Sequence, residues 1–166
     1  MAEPDRDLER MAVQERRLRP ARFTADTAWV LGARLKALAE ARGVAVAIEI
    51  RIAGRMVFFH AMPGATPANA DWARRKCNAV ELLQRSSYAL RCAPLKDGMT
   101  AVQRMGLPVR DYALVGGGFP LAVEGVGVIG AVAVSGLPER DDHALVVEAL
   151  AELCGVPLDE VCLAGA

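Results

Sequence analysis

The chain has 166 residues, with twenty basic side chains balanced by twenty acidic ones, two histidines and a hydrophobic fraction of 53%. One domain of roughly this length buries about two thirds of its unfolded surface without covalent staples, and balanced charge argues against a nucleic-acid groove or an anionic membrane as the main partner. No apolar run reaches the roughly 18 residues of a membrane span and the charged N-terminus lacks a signal peptide's apolar core, so a cytoplasmic protein is expected.

Residues 1–22 read as a charge-dense helical arm, in which Leu8, Met11 and Leu18 fall at helical spacing with Ala12 beside them. So thin a stripe suits a solvated, frayed helix or an arm packed on a neighbouring subunit. Pro20 ends it, and the domain proper is expected over 23–155. Its first helix, Phe23 to Arg42, can be capped by Thr24 or Asp26, lines one face with Ala28, Leu31, Leu35 and Leu38, and stops at Gly43. Val44, Val46, Ile48, Ile50 and Ile52 then alternate with Ala45, Ala47, Glu49 and Arg51, the period-two signature of a strand. Gly54 turns the chain into a second strand, Arg55 to Ala61, so the pair forms a hairpin.

A Pro- and Gly-rich loop over 62–67 leads into one long helix from about Asn69 to Cys92. Trp72, Ala79 and Leu83 mark its expected apolar centre. Arg74, Arg75 and Lys76 lie near its positive end, where each cation is disfavoured by roughly 0.3 to 1 kcal/mol. Something should compensate: either carboxylates such as Asp71 and Glu49, or an anionic ligand group held by Arg75 and Lys76.

Residues 95–112 hold the Lys96-Asp97-Gly98 turn and a short helix over Thr100 to Met105. The chain's organising stretch follows: the cluster Gly116-Gly117-Gly118, strands over Phe119 to Val123 and Val126 to Ser135 around a Glu124-Gly125 turn, and the corner Ser135-Gly136-Leu137-Pro138. On the second strand one face is small, with Ala131 and Ala133, which suits a closely docked helix or a pocket wall. Pro138, Glu139, Asp141 and Asp142 open a last helix, with His143 on its buried stripe, as a core histidine or as a pocket group that binds or shuttles a proton. The run Gly125 to Gly130 matches G-x-G-x-x-G. A dinucleotide fingerprint needs a strand before those glycines and a helix opening on them, and here they lie inside a β-rich run. The tail over 156–166 is barely constrained. Cys77, Cys92, Cys154 and Cys162 show neither C-x-x-C pairing nor zinc spacing, so they read as reduced thiols.

Taken together, Val46 to Arg51, Phe58 to Gly64, Asp71-Trp72 with Arg74-Arg75-Lys76 and Asn78, Ser86-Ser87, Gly117 to Pro120, and Val134 to Pro138 with Asp142 to Leu145 resemble the haem-degrading-domain superfamily (HbpS/GlcG-like), in its uncharacterised-protein branch. The resemblance implies an α+β, profilin-like fold with an antiparallel sheet of about five strands, flanking α-helices, and a homo-oligomer, dimer or higher. Some relatives bind haem or iron, so haem is the cofactor to test. Where members carry a histidine before the glycine cluster this chain has Val115, and no metal site is expected.

The leading functional expectation is a small-ligand-binding oligomer, haem- or tetrapyrrole-related by resemblance. Its ligand would meet Trp72, Arg75, Lys76, Asn78, Ser87, Gly117, Gly118, Phe119, Ser135, Gly136 and His143. One alternative is an enzyme on a small anionic metabolite, with His143 as acid or base and Asp142 as its orienter. The other is an assembly scaffold without ligand.

Overall fold

The computed structural model describes residues 3–163 and 165; Met1 and Ala2 of the expected arm and Ala164 and Ala166 of the expected tail lie outside the described residues. Two hairpins make the sheet: β1 (Ala47–Ile52) with β2 (Arg55–Ala61), and β3 (Gly118–Val123) with β4 (Gly127–Ser135). They join through β1 and β4, from Ala47 opposite Ser135 to Ile52 opposite Gly130, giving the antiparallel order β2-β1-β4-β3. The fold is α+β as the resemblance implies, with four strands where about five were expected. A Cβ on Gly130 would lie 1.9 Å from the Arg51 carbonyl oxygen, so glycine there lets the two hairpins pair. Gly125 and Gly127, with φ of +72° and +105°, close the β3–β4 turn. The G-x-G-x-x-G run is therefore hairpin chemistry.

Helices cover both sheet faces. Ile48, Ile50, Val132, Val134, Phe119 and Leu121 pack with α2 (Ala25–Ala41) and α6 (Glu139–Cys154) into the main core. On the other face Ala131 and Ala133 receive α3 (Pro67–Leu83) through Ala73, Cys77 and Val80. Small strand residues bring that helix close, and the polar face of β1 is covered too, leaving Glu49 only 1% exposed.

The expected long helix over 69–92 is two helices. Gln84, at φ 55° and ψ 31°, is left-handed and ends α3, and the hydroxyl of Ser86 accepts from the Ala89 N–H to start α4 (Ser87–Cys92). At its other end α3 begins earlier, where Thr66 and Asn69 form a reciprocal cap with Pro67 in the first turn. Its seam is also turned: Ala73, Lys76, Cys77 and Val80 are buried with Ala79, whereas Trp72 is 37% exposed. A buried lysine explains the offset, because pattern reading puts a cation at the edge of the apolar stripe and not at its centre.

The N-terminal segment is not the solvated, frayed helix that was one of the two expectations. Helix α1 (Glu3–Arg17) packs on its own chain, with Met11 fully buried against Tyr88, Ala89 and Leu163. Gln14 donates to the Val161 carbonyl at 2.7 Å and Arg10 to that of Cys162 at 2.9 Å, so α1 and the C-terminal segment hold one another. Helix α5 (Ala101–Arg104) sits in the connector before β3. Among the described residues no helix is long and apolar enough to cross a membrane.

Candidate functional site

Where β4 ends, the Ser135-Gly136-Leu137 corner swings the chain into α6 directly beside the opening turns of α3. Glycine is required at the corner, since a Cβ on Gly136 would meet the Ala45 carbonyl oxygen at 2.4 Å. Between corner and helix lies a cavity of about 220 Å³, with Lys76 and Asp142 among its lining, Asn69, Trp72 and Ser135 as walls, and Val115 opposite.

Lys76 and Asp142 are each 1% exposed. The Lys76 ammonium donates to the Val134 carbonyl and to Asp142 Oδ2, both at 2.9 Å, and Asp142 Oδ1 accepts from the Leu137 N–H at 3.0 Å. Burial lowers the affinity of Lys76 for its proton and raises that of Asp142, while their mutual attraction opposes both shifts. An ammonium carries three N–H donors, and two of these have protein acceptors. Gly117 makes room for the amine: its φ is +122°, and a Cβ there would lie 2.8 Å from Lys76 Nζ and 2.5 Å from the Val134 carbonyl oxygen.

The cavity is rich in donors and poor in acceptors. Ser135 is 5% exposed, and its hydroxyl has no hydrogen-bond partner among the described residues. Asn69 spends its Oδ1 on the helix cap, at 2.8 Å from the Thr66 N–H, which leaves its Nδ2 donor uncommitted. Arg75 does not line the cavity, but its guanidinium lies 4.1 Å from the ring centroid of Trp72, which does, close enough for a cation–π contact.

The three consecutive cations of α3 meet different fates. Arg74 pairs with Asp71 at 3.0 Å and Asp111 at 3.1 Å, and Lys76 pairs with Asp142. Arg75 has no carboxylate partner among the described residues; its Nη2 donates to the Val109 carbonyl at 2.5 Å and its buried Nε has no acceptor. Compensation by carboxylates thus covers two of the three and leaves Arg75 uncovered.

The remaining residues singled out from the sequence lie elsewhere. Asn78 accepts from Arg51 at 2.7 Å and donates to the Asp111 carbonyl at 2.8 Å, in a separate cleft of about 620 Å³ with Met56 and Phe59. The cleft's arginines are already neutralised, Arg51 by Glu49 and Glu81 and Arg74 by Asp71 and Asp111. Ser87 donates to the Val115 carbonyl at 2.5 Å and accepts from the Gly118 N–H at 2.9 Å, pinning the glycine cluster to α4. A Cβ on Gly118 would crowd Val80 at 2.9 Å, so that glycine serves packing. Phe119 is 1% exposed in the main core.

His143 also lies outside the cavity. It is fully buried, 5.4 Å from the Tyr88 ring and 5.9 Å from that of Phe119, with Nε2 2.8 Å from Gln14 Oε1. Because the Gln14 amide nitrogen is committed to Val161, the histidine Nε2–H donates to the oxygen and Nδ1 is left without a partner. Burial pushes the imidazole down to about 3, so it is neutral. Asp142 holds Lys76 rather than orienting His143.

Haem needs an axial donor such as His, Met or Cys. Neither His143 nor His60 lines the cavity or the cleft. The cavity's 220 Å³ also falls below the roughly 300–1,000 Å³ of pockets that enclose larger ligands. The cleft is large enough and offers Met56, but its cations are spent. The residues of the cavity do not fit a haem. Among the described residues no cluster of three or more His, Cys, Asp or Glu could hold a metal ion. Sequence reading missed Asn69 as a cavity residue; the Thr66-x-x-Asn69 cap was the available signal for it.

Comparison with known proteins places these features in context. A UPF0303 protein of Azotobacter vinelandii is 55% identical over 159 residues, 96% of each chain. The crystal structure of Ybr137w superposes with a TM-score of 0.79 at 23% identity, over 89% of this chain and 87% of that one. A PduOC:heme complex superposes at 0.69 with 20% identity, over 78% and 93%. At those identities the two structures establish the shared fold. With residues 23–151 matching the family described as haem-degrading HbpS-like, and a UPF0303 relative along nearly its whole length, this chain belongs to the HbpS-like family.

Proposed function

We propose that the chain binds a small anionic molecule in the cavity between α3 and the β4–α6 corner, and that it works as a homo-oligomer. The observation that carries the reading is the Ser135 hydroxyl, which has no protein partner among the described residues and lines the cavity with a buried ammonium that has a spare N–H. Both are donors that a bound acceptor oxygen can engage, a hydrogen bond to a charged group contributing about 1.5–3 kcal/mol. Arg75, stacked on Trp72 and unpaired with any carboxylate among the described residues, supplies the outer charge. Acetate, glycolate and inorganic phosphate are suitable probes, titrated while Trp72 fluorescence and melting temperature are followed. Saturable binding is expected, weakened roughly ten- to a hundredfold in Ser135→Ala and in Arg75→Gln, as for loss of one bond to a charged group. Binding of none of the probes, or wild-type affinity in both variants, would end the reading. Native mass spectrometry then reports the subunit number; a large assembly that binds none of them would favour the scaffold alternative.

A haem-related ligand is the second reading, favoured by the family match and the haem complex of a structural neighbour. Given the cavity's size, such a ligand has to sit outside it. A saturable Soret shift that survives Ser135→Ala supports that reading, and its absence removes haem.

A further inference from the structure

The floor of the cavity pairs a buried lysine with a buried aspartate. Lys76 Nζ is 2.9 Å from Asp142 Oδ2, both residues are 1% exposed, and both line the cavity. Of the chain's three lysines, the other two are Lys36, ion-paired with Glu40 on the surface, and Lys96, in an exposed turn. A buried ion pair is weak as a source of stability, since desolvation of two charges offsets most of their attraction. Placing the pair against a donor-lined cavity gives it a chemical use that burial in a dry core would not.

We propose that Lys76 is an amine nucleophile that captures a small carbonyl acid, an aldehyde or ketone carrying a carboxylate, as a Schiff base. This deepens the small-anion reading and rests on it. Burial moves the pair toward its neutral form, so the proton of the ammonium can pass to Asp142 Oδ2. The freed amine lone pair forms the C–N bond as the C=O π bond opens, and one proton passes from the attacking nitrogen to the oxygen, giving a neutral carbinolamine. Asp142 returns its proton to that hydroxyl as the C–O bond breaks. One water leaves, the protonated imine remains paired with the Asp142 carboxylate, and no oxidant or reductant is consumed. The ligand carboxylate faces the remaining donors, Ser135 and Asn69, with Arg75 outside them. A cavity of about 220 Å³ restricts the ligand to a few carbons.

The test uses the full chain with glyoxylate or pyruvate and cyanoborohydride, followed by peptide mapping, with Lys36 and Lys96 as internal controls. Reductive trapping is expected mainly at Lys76, lost in Lys76→Met and suppressed by excess lactate, which has the carboxylate without the carbonyl. Because the wild-type map alone decides the matter, a variant that fails to fold does not obscure it. Adducts at Lys36 and Lys96 with Lys76 unmodified overturn the proposal. If lactate nevertheless binds saturably, the small-anion reading stands and only the covalent step falls; if neither lactate nor the carbonyl acids bind, both fall.

Discussion

At the scale of single residues, the Lys76–Asp142 pair is the feature on which both the fold and the site converge. Its partners stand 66 residues apart. The sequence therefore showed a cation at the wrong end of a helix and a carboxylate at the right end of another, without showing that they meet. Lys76 was legible as an anion binder, but the anion is supplied from within the chain. Arg75 is the residue for which that expectation still has room. A buried pair behaves asymmetrically under mutation: removing one partner leaves a desolvated charge, whereas removing both leaves an apolar space. Lys76→Met and Asp142→Leu should each lower unfolding stability by about 3–5 kcal/mol, with the double variant recovering much of the loss. Urea denaturation of the four proteins gives the coupling energy, and additive losses would show that the two charges do not depend on one another. The nearby Gly117→Ala should also destabilise, since its φ of +122° and the 2.5 Å approach to the Val134 carbonyl leave no place for a methyl group.

Among the elements, those with a simple period were read from sequence nearly as they stand. The alternating isoleucines of β1, the β3–β4 hairpin and the Thr24-capped α2 each carry a local signal that tertiary packing reinforces. The division of 67–92 into α3 and α4 was missed because its signal is conformational. Gln84 takes a left-handed geometry that glycine or asparagine would have advertised, and Ser86 looks like a flanking helix residue until it is seen to cap. The break matters to the site: it lets α4 present Ser87 to the Val115 carbonyl and Gly118 N–H while α3 presents Lys76 to the corner. Substitutions at the junction should therefore act on stability in opposite directions. Gln84→Gly relieves the left-handed strain and is expected to stabilise by up to about 1 kcal/mol. Ser86→Ala removes a cap and is expected to destabilise by about 1 kcal/mol. Thermal melts of both variants would decide, and a destabilising glycine would mean that Gln84 contributes a contact beyond its backbone geometry.

Over the whole molecule, what escaped the sequence most completely is how α1 closes the fold, because buried polar residues give no periodic signal. Asp7 and Gln14 are both fully buried. Asp7 accepts from Tyr88 at 3.1 Å and from Arg140 at 2.9 Å, and Gln14 joins His143 of α6 to Val161 of the C-terminal segment. His143 thus sits where four parts of the chain meet, and its charge state bears on whether they stay together. Burial is the main cause of its low proton affinity, with Arg140 acting in the same direction and Asp7 opposing. Its folded value of about 3 lies below the 6.5 of an unperturbed histidine, so between those limits the unfolded chain binds a proton that the folded chain refuses. Stability from this group is complete above about pH 6.5 and is lost as the pH falls toward 3, by an amount on the order of 5 kcal/mol. The experiment is to follow unfolding free energy from pH 7 to pH 4 in the wild type and in His143→Leu. Losing the bond to Gln14 should make the variant less stable at neutral pH, yet its curve should be flatter, so that the two approach each other in acid. Curves that run parallel over that interval would show that His143 accepts a proton without disturbing the junction of α1, α4, α6 and the C-terminal segment.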